Sequence, residues 1–416
     1  MLSQRTKLTS SIALLTAAAT VLVACGSGDR DDSAATTSAA GHPSSGSPVE
    51  QGSATPRLAL SYDGGVLVYD AETLQQVGEF PVEGFTRLNS ADNGRNVFIS
   101  ESDGFRVLDM GTWTRKHGDH GHHYTTSPVL TDMRFGGAEP GHVVSFEDRL
   151  TLFSDGTGEV TIVEPVELAQ GNAASTTYRT PEPHHGVAVS RGDGTLVVTV
   201  GNEDTRSGIA ILDKSRNEIT RNDQCPGIHG EAEAAGGVLT FGCQDGILIV
   251  RGNEIQKVSS PDPYGRIGNQ AGTAESPIVL GDYKTDKDAE LERPNRFTLT
   301  DTRTGTLRLV DFPASYSFRS IERGPNGQAV ILGTDGALHV YDPVSATETA
   351  SIPVIAAWSE PDEWQSTMPN LFIQGDRAYV SDPATKTLYA VDLSTAKVAN
   401  KATLTAQTIE LTGVTG

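Results

Sequence analysis

The stretch Val238-Leu-Thr-Phe-Gly-Cys-Gln-Asp-Gly-Ile-Leu-Ile-Val250 shows the pattern that decides the fold of this chain. An apolar run ends in a polar turn with Asp245-Gly246, and a second apolar run follows at once. Short runs of this kind, bounded by Gly and Asp, are typical of antiparallel strands joined by tight turns. The stretch therefore predicts a β-hairpin.

The same hairpin pattern occurs eight times, at a spacing of about 40 residues. The paired runs are 57–61 with 66–70, 96–100 with 105–109, 150–154 with 159–163, 196–200 with 209–213, 238–243 with 247–250, 297–300 with 307–310, 329–333 with 338–342, and 378–382 with 388–392. This period is typical of a β-propeller, in which each copy is a four-stranded blade. We therefore predict an all-β propeller, with eight blades favoured and seven possible. A β-sandwich is the weaker interpretation, because sandwiches do not repeat one unit in this way.

The two ends of the repeat predict how the ring closes. The strand before each copy is expected to be the inner one, which lines the central channel. The first copy has no such strand before it, whereas the last copy is followed by the strand-like run 408–412. We expect this C-terminal strand to complete the first blade and close the ring, since closure removes two exposed sheet edges.

The N-terminal residues have the pattern of a targeting segment and a linker. Arg5 and Lys7 precede an apolar run at 12–23, and Leu22-Val-Ala-Cys25 resembles a lipobox, in which the cysteine is acylated. We predict a lipoprotein signal peptide at 1–24, lipidation of Cys25, a flexible Ser/Ala/Gly-rich tether at 25–56, and a metal-binding propeller at 57–416. The protein is thus expected outside the cytoplasm, anchored to the cell membrane.

The net charge of −21 limits the possible partners. Nucleic acid and anionic lipid both need a basic face, so neither is expected as a direct partner. Membrane contact is then expected through the lipid anchor alone, and the chain is expected to be monomeric. An acidic surface also suits a protein that attracts cations.

Two cysteines, Cys225 and Cys243, lie within one repeat. Because the targeting segment indicates an oxidising compartment, we predict a disulfide between them. A thiolate pair that binds metal is the alternative.

Three histidines occupy the same position in consecutive repeats. His142, His185 and His229 precede the strands that start at 150, 196 and 238 by 8, 11 and 9 residues. Inner strands run in one direction in every blade, so the three imidazoles should meet at one end of the channel and bind a divalent metal such as zinc. Three unrelated structural histidines are the alternative. Imidazole also serves copper and nickel, so the pattern does not rank the metals.

A fourth group of histidines lies in His117-Gly-Asp-His-Gly-His-His-Tyr124, which holds four of the ten histidines. We expect this stretch to fold over the same channel mouth, where His120 or His122 would supply a fourth ligand. His117 is a further candidate, and Asp119 would bind the metal or orient a ligand imidazole. The alternative is a solvated, mobile loop that binds metal only incidentally.

Several motifs together resemble the AztD family of extracytoplasmic zinc metallochaperones. They are Gly-Asp-His-Gly-His-His-Tyr (118–124), Pro-Gly-His-Val (140–143), Asp-Gly-Thr-Gly (155–158), His-Gly-Val-Ala-Val (185–189), Cys-Pro-Gly-Ile-His-Gly-Glu (225–231) and Phe-Gly-Cys-Gln-Asp-Gly (241–246). The resemblance covers essentially all of 57–416. It implies a propeller that binds Zn²⁺ on the histidines above and delivers it by direct contact to the solute-binding protein of a zinc ABC importer. The lipobox and long tether depart from the family pattern.

We therefore predict a metallochaperone rather than an enzyme. The alternative is a zinc-dependent hydrolase-type enzyme, since three histidines and an open fourth position also describe a catalytic zinc. Glu231 or Asp119 would then be the general base, although we expect Glu231 to hydrogen-bond a histidine instead. A propeller scaffold with incidental histidines is a third possibility.

Overall fold

A computed structural model describes residues 46–416, in which β-strands predominate. The predicted signal peptide, Cys25 and most of the predicted tether lie outside these residues. The strands of the N-terminal half are β1 Val49–Gln51, β2 Arg57–Tyr62, β3 Gly65–Asp70, β4 Gln76–Pro81, β5 Leu88–Ser90, β6 Asn96–Glu101, β7 Gly104–Asp109, β8 Thr112–His117, β9 His120–Thr125, β10 Val129–Phe135, β11 Pro140–Phe146, β12 Arg149–Ser154, β13 Glu159–Val163, β14 Ser175–Arg179, β15 Ala188–Ser190, β16 Leu196–Gly201, β17 Arg206–Leu212 and β18 Glu218–Asn222.

The C-terminal half continues in the same way. Its strands are β19 His229–Ala234, β20 Val238–Cys243, β21 Asp245–Arg251, β22 Glu254–Ser259, β23 Gly265–Arg266, β24 Gln270–Ala271, β25 Ile278–Asp282, β26 Arg296–Asp301, β27 Thr306–Asp311, β28 Ile321–Arg323, β29 Ala329–Leu332, β30 Ala337–Asp342, β31 Thr347–Pro353, β32 Asn370–Gln374, β33 Arg377–Asp382, β34 Thr387–Asp392, β35 Lys397–Thr403 and β36 Thr408–Val414. One short helix, α1 at Pro165–Ala169, follows β13. In the described part of the chain, no helix has the length and apolar character needed to span a membrane.

The strands form successive four-stranded antiparallel sheets, the arrangement of a β-propeller. In order from the inner strand outward, the sheets within residues 46–416 are β36-β2-β3-β4, β5-β6-β7-β10, β11-β12-β13-β14, β15-β16-β17-β18, β19-β20-β21-β22, β24-β25-β26-β27, β28-β29-β30-β31 and β32-β33-β34-β35. The short β23 adds to β21 in parallel. The predicted all-β fold of repeated hairpins is therefore confirmed.

The second and third strands of each sheet read as nearly continuous apolar runs because both of their faces are covered. In β20 and β21, for example, Phe241 and Leu248 are fully buried. They belong to one hydrophobic cluster with Val144, Val189 and Ile211, which come from the two preceding sheets. The core thus lies between neighbouring sheets, and this packing fixes the inner strands relative to one another.

The sixth repeat differs from the sequence prediction by one strand. The runs predicted at 297–300 and 307–310 are β26 and β27, the third and fourth strands of their sheet, whereas the second strand is β25. In the other sheets the predicted pair forms the second and third strands. The hairpin pattern is hidden here because 13 residues, 283–295, separate β25 from β26.

An additional three-stranded sheet, β1-β9-β8, interrupts the second four-stranded sheet. The hairpin β8–β9 is inserted between β7 and β10, and β1 pairs with β9 from Val49↔Thr125 to Gln51↔His123. Residues 49–51 fall within the predicted tether at 25–56. The structure therefore gives the last part of that segment a place in a sheet.

Cys225 and Cys243 form the predicted disulfide. Both are fully buried, and both belong to the cluster that contains Phe241. The bond joins the segment before β19 to the end of β20, so it encloses the strand that starts with His229.

Candidate metal centre

His142, His185 and His229 converge at the end of the channel where the inner strands begin. His142 lies near the start of β11, and His229 is the first residue of β19. His185 lies three residues before β15, which begins at Ala188 rather than at the histidine. The predicted alignment of the three residues therefore brings them together, although one of them lies in the approach to its strand.

The three imidazoles are close enough to share a metal ion. Their ring centroids are 5.3 Å (His142–His185), 5.4 Å (His142–His229) and 5.0 Å (His185–His229) apart. One nitrogen from each ring lies within 4.8 Å of the other two. Zn–N bonds of about 2.0–2.1 Å in a tetrahedral site place ligand nitrogens about 3.4 Å apart, so small ring movements suffice to bind zinc.

Acceptors from the protein occupy the Nδ1 side of the rings. His185 Nδ1 lies 2.5 Å from Asp155 Oδ2, and His229 Nδ1 lies 2.6 Å from the carbonyl oxygen of Gly268. Both acceptors lack a proton, so Nδ1 of each neutral ring must donate, and the lone pair is left on Nε2. His142 Nδ1 lies 3.6 Å from Glu231 Oε2, too far for the hydrogen bond expected of Glu231. The contacts of His185 and His229 are typical of metal-binding histidines, whose second nitrogen is held by a carboxylate or carbonyl.

The strands that carry His142 and His229 are irregular at the histidines. The pairing of β19 with β20 shifts between His229 and Glu231, and Gly230 between them has φ +67°. A Cβ at Gly230 would lie 2.7 Å from the carbonyl oxygen of Gly268, so the bulge requires glycine. The pairing of β11 with β12 also shifts, between Pro140 and Val143. These bulges aim the imidazoles into the channel mouth.

Burial keeps the enclosed imidazoles neutral. Desolvation, with a smaller contribution from the neighbouring histidines, lowers the pKa of His142 well below its usual value. Desolvation also lowers the pKa of His229 to about 3. Glu231 shows the opposite effect, since desolvation raises the pKa of its carboxyl to about 7. Neutral imidazole is the form that binds metal, so the site favours its ligand state.

The His-rich stretch lies elsewhere, which corrects the expectation that it covers the same channel mouth. It forms the hairpin β8–β9, which leaves the second sheet after β7. The last residue of β7, Asp109, pairs with Asn96, next to the end of the inner strand β5. Thr114 Oγ1 of the hairpin donates to the carbonyl oxygen of Gly416, 2.9 Å away, just beyond the end of the inner strand β36. The hairpin is therefore at the end of the channel where the inner strands finish.

His117, His120 and His122 form a second group with ligand atoms within 4.8 Å of one another. Their ring centroids are 5.0–6.1 Å apart. His117 pairs directly with His120 across the hairpin, and His122 shares the face of His120 because side chains alternate along a strand. His120 and His122 thus belong to a separate candidate site and do not complete the channel-mouth site.

Carboxylates accompany this second group as well. His122 Nδ1 lies 2.7 Å from Glu50 Oε1 of β1, and His120 Nδ1 lies 3.3 Å from Asp119 Oδ1. His123 faces the other way, with Nδ1 2.8 Å from Thr114 Oγ1. The second candidate site is therefore an exposed three-histidine cluster with carboxylates beside it.

Two other histidines have structural positions. His184 is buried between the carbonyl oxygen of Glu182 and Thr199 Oγ1, at 3.0 and 2.9 Å. His339 is buried and contacts Glu348 Oε1 at 2.8 Å and Asp335 Oδ2 at 3.0 Å. Their positions explain why the repeat alignment, rather than the number of histidines, locates the candidate ligands.

Sequence reasoning missed three groups that support the two sites. Asp155 lies in a hairpin turn, and this turn lies beside the start of the next inner strand. The carbonyl of Gly268 carries no sequence signal. Glu50 lies in the predicted tether, where no contact was expected.

The fold and the site together define a β-propeller with a three-histidine cluster, a candidate metal centre, at one end of its channel. The chain is 24% identical over 364 residues to a curated protein, Zinc chaperone AztD of Citrobacter koseri, and the match covers 84% of each chain. The crystal structure of Citrobacter koseri AztD superimposes with a TM-score of 0.77, 23% identity and coverage of 88% of this chain and 99% of that one. The apo form of the same protein gives a TM-score of 0.75 at 22% identity, with coverage of 87% and 98%.

These similarities confirm the AztD resemblance that the sequence motifs indicate. The match extends over most of the chain in sequence and in fold. No family model matches the chain.

Proposed function

We propose that this protein is an extracytoplasmic zinc metallochaperone that binds Zn²⁺ through Nε2 of His142, His185 and His229. The observation that carries the proposal is the convergence of the three imidazoles, of which His185 and His229 have acceptors at Nδ1 that leave Nε2 free to bind a metal. Similarity to a protein named as a zinc chaperone supports zinc as the cargo. Copper and nickel remain the competing metals, because imidazole binds all three.

The proposal includes a closed ring of eight blades. The eight four-stranded sheets of residues 46–416 support the number, and the pairing of β36 with β2 from Arg57↔Val414 to Tyr62↔Thr408 supports closure by the C-terminal strand. Closure matters for function because it fixes the inner strands that carry the three ligands.

The second candidate site, formed by His117, His120 and His122 and called the hairpin cluster below, suits a role in acquiring or releasing zinc. His117 and His120 are exposed, whereas His142 and His229 lie within the channel mouth. An exposed cluster can exchange metal with another protein by direct contact. The proposed recipient is the solute-binding protein of a zinc ABC importer, and lipidation at Cys25 would hold the chaperone at the membrane where that importer works.

A zinc-dependent enzyme is the competing function. Three histidines leave a fourth position for water, and Glu231 lies near the site. However, Glu231 Oε2 lies 3.6 Å from Nδ1 of His142, the nitrogen opposite the proposed metal-binding Nε2. We therefore propose a non-enzymatic role, in which zinc is cargo.

A zinc competition titration tests the proposal. Replacing His142, His185 or His229 singly with Ala should lower the zinc affinity of the channel-mouth site by orders of magnitude while the circular dichroism spectrum stays unchanged. His123→Ala is the matched control, since this imidazole is turned toward Thr114 and away from the hairpin cluster.

Transfer to the purified solute-binding protein is measured in parallel. Transfer faster than spontaneous release to a small chelator supports direct handover. Undiminished zinc binding in all three single variants would refute the channel-mouth site, and hydrolytic activity that depends on Glu231 would favour the enzyme.

A further inference from the structure

The cavity at the channel mouth is rich in positive charge, although the chain carries a net charge of −21. Besides the three histidines, Arg87, Arg266 and Lys284 line this cavity of about 450 Å³, together with the carboxyl groups of Glu231 and Asp282. Arg87 is paired with Glu410 at 3.6 Å. Arg206 also lies close enough to lower the pKa values of His142 and His229. Local cations repel a bare Zn²⁺ ion, so zinc binding alone does not explain why positive side chains lie in this cavity.

The cations are poorly compensated by carboxylates. Among residues 46–416, the ion pairs within 4.0 Å include none made by Arg206, Arg266 or Lys284. Nη1 of Arg206 is buried and has no hydrogen-bond acceptor in the described residues. Arg266 Nη1 makes one long contact, 3.4 Å from the carbonyl oxygen of Gly227. These three side chains are partly buried and make no ion pair within the described part of the chain, which points to an anion that the cavity is built to receive.

The backbone holds two of these cations side by side. Arg266 and Lys284 form a bridge in which each N–H donates to the carbonyl of the other, at 2.8 and 3.0 Å. Residues directly opposite in an antiparallel pair have neighbouring side chains, and like charges in such a pair destabilise it. The nearby carboxyl group of Asp282, whose Oδ1 accepts the backbone N–H groups of Gly268 and Asn269 at 2.6 and 2.9 Å, can offset at most one of these two positive charges.

We propose that the cavity binds a free oxyanion, a small carboxylate or phosphate, that completes the coordination of zinc and is held by Arg266 and Lys284. The inference rests on the proposed zinc site. Three neutral imidazoles leave a tetrahedral zinc ion with one position to fill and its double charge uncompensated. An anionic oxygen in that position interacts with the metal, and its remaining oxygens accept charge-assisted hydrogen bonds from the guanidinium and ammonium groups.

Binding of zinc and of the anion is then mutually reinforcing. If the anion raises the affinity for zinc by some factor, zinc raises the affinity for the anion by the same factor. The protein therefore carries a zinc–oxyanion pair, and zinc alone binds less tightly. Loss of the anion promotes release of the metal.

The experiment measures zinc affinity by competition for the full chain, with and without millimolar inorganic phosphate or acetate at constant ionic strength. The expected result is zinc binding about tenfold tighter with the anion, and Co²⁺ bound in place of zinc should change its visible spectrum when the anion is added.

In the double variant Arg266→Gln/Lys284→Gln this enhancement should disappear. Zinc affinity without the anion should stay equal or rise, because two positive charges have been removed. Lys401→Gln, an exposed lysine on β35, is the matched control.

The possible outcomes separate this inference from the proposed function. Zinc binding that is insensitive to the three histidine substitutions contradicts the function itself. Zinc binding that depends on the histidines but is unaffected by anions overturns only the oxyanion site, as does an enhancement that persists in the double variant. A glutamate-rich peptide tests a carboxylate supplied by another protein, and enhancement by the peptide alone would rule out a free ion.

Discussion

Asp155 Oδ2 lies 2.5 Å from His185 Nδ1, so a residue of one sheet fixes the orientation of a candidate metal ligand that belongs to the next. Asp155 follows β12, and its Oδ1 also accepts the backbone N–H of Gly186 at 3.2 Å. The geometry of the metal site therefore depends on how the third and fourth sheets pack.

Asp155→Ala should lower zinc affinity at the channel mouth by about 10–100-fold, because the imidazole of His185 loses the acceptor that sets its tautomer. Asp155→Asn should retain part of the affinity, since the amide oxygen still accepts a hydrogen bond. Competition titration measures both. Asp63→Ala, at the corresponding turn of the first sheet, should leave zinc affinity unchanged, and an equal loss there would point to a general effect of surface charge.

Zinc binding at the channel mouth should resist acid more than free imidazole would. A normal histidine competes with metal below about pH 6.5. Burial lowers the pKa values of His142 and His229, so protons displace zinc only at lower pH. Zinc affinity of a variant without the hairpin histidines should thus fall less between about pH 7 and pH 6 than it would for three free imidazoles.

Glu231→Gln is the control for this pH profile, because burial raises the pKa of Glu231 to about 7 and its ionisation can add a pH dependence of its own. A tenfold or greater loss per pH unit between about pH 7 and pH 6 in the Gln variant would contradict the lowered histidine pKa values.

Removing β1 should affect the hairpin cluster and spare the channel-mouth site. A chain that begins at Ser53 lacks the strand that pairs with β9 and lacks Glu50, the partner of His122. Zinc affinity at the hairpin should fall roughly 3–10-fold, the effect of one exposed hydrogen bond to a ligand.

Titration of the shortened chain, compared with a chain that begins at Gly46, measures this loss. Glu50→Gln should reproduce part of it, and Glu72→Gln, an exposed residue elsewhere, should not. Equal zinc binding by both chains would show that residues 46–52 act as a linker only.

Removing the disulfide by Cys225→Ala/Cys243→Ala should lower the free energy of unfolding by about 3 kcal/mol, from the entropy of a loop closed over 18 residues. Urea denaturation measures the change. Because the loop contains His229, zinc affinity at the channel mouth should fall together with the free energy of unfolding. Two thiols that titrate in the unreduced wild-type protein would contradict the bond.

The sequence predicts the repeat and the channel-mouth ligands because both are periodic. Apolar hairpins recur with the blade, and His142, His185 and His229 occupy one position in that period. The same reasoning failed for the sixth repeat, where a long connection between β25 and β26 masks the period.

The position of the His-rich stretch was not predictable in the same way. A glycine-rich run of histidines is typical of a mobile loop. The structure instead forms regular paired strands here, with His117 opposite His120 and Arg115 opposite His122. β7 is the third strand of its sheet, as the repeat predicts, and it runs parallel to the inner strand β5. The hairpin after β7 therefore leaves the sheet where the inner strands finish, which follows from strand direction and not from the run of histidines.

The pairing of β36 with β2 also has a consequence for how the chain folds. Arg57 is paired with Val414, so the first sheet joins residues more than 350 positions apart. Contacts of such long range carry a high loop-closure entropy and slow folding. The first sheet cannot acquire its inner strand until residues 408–414 have been made, and a chain truncated before Thr408 should leave one edge of β2 unpaired.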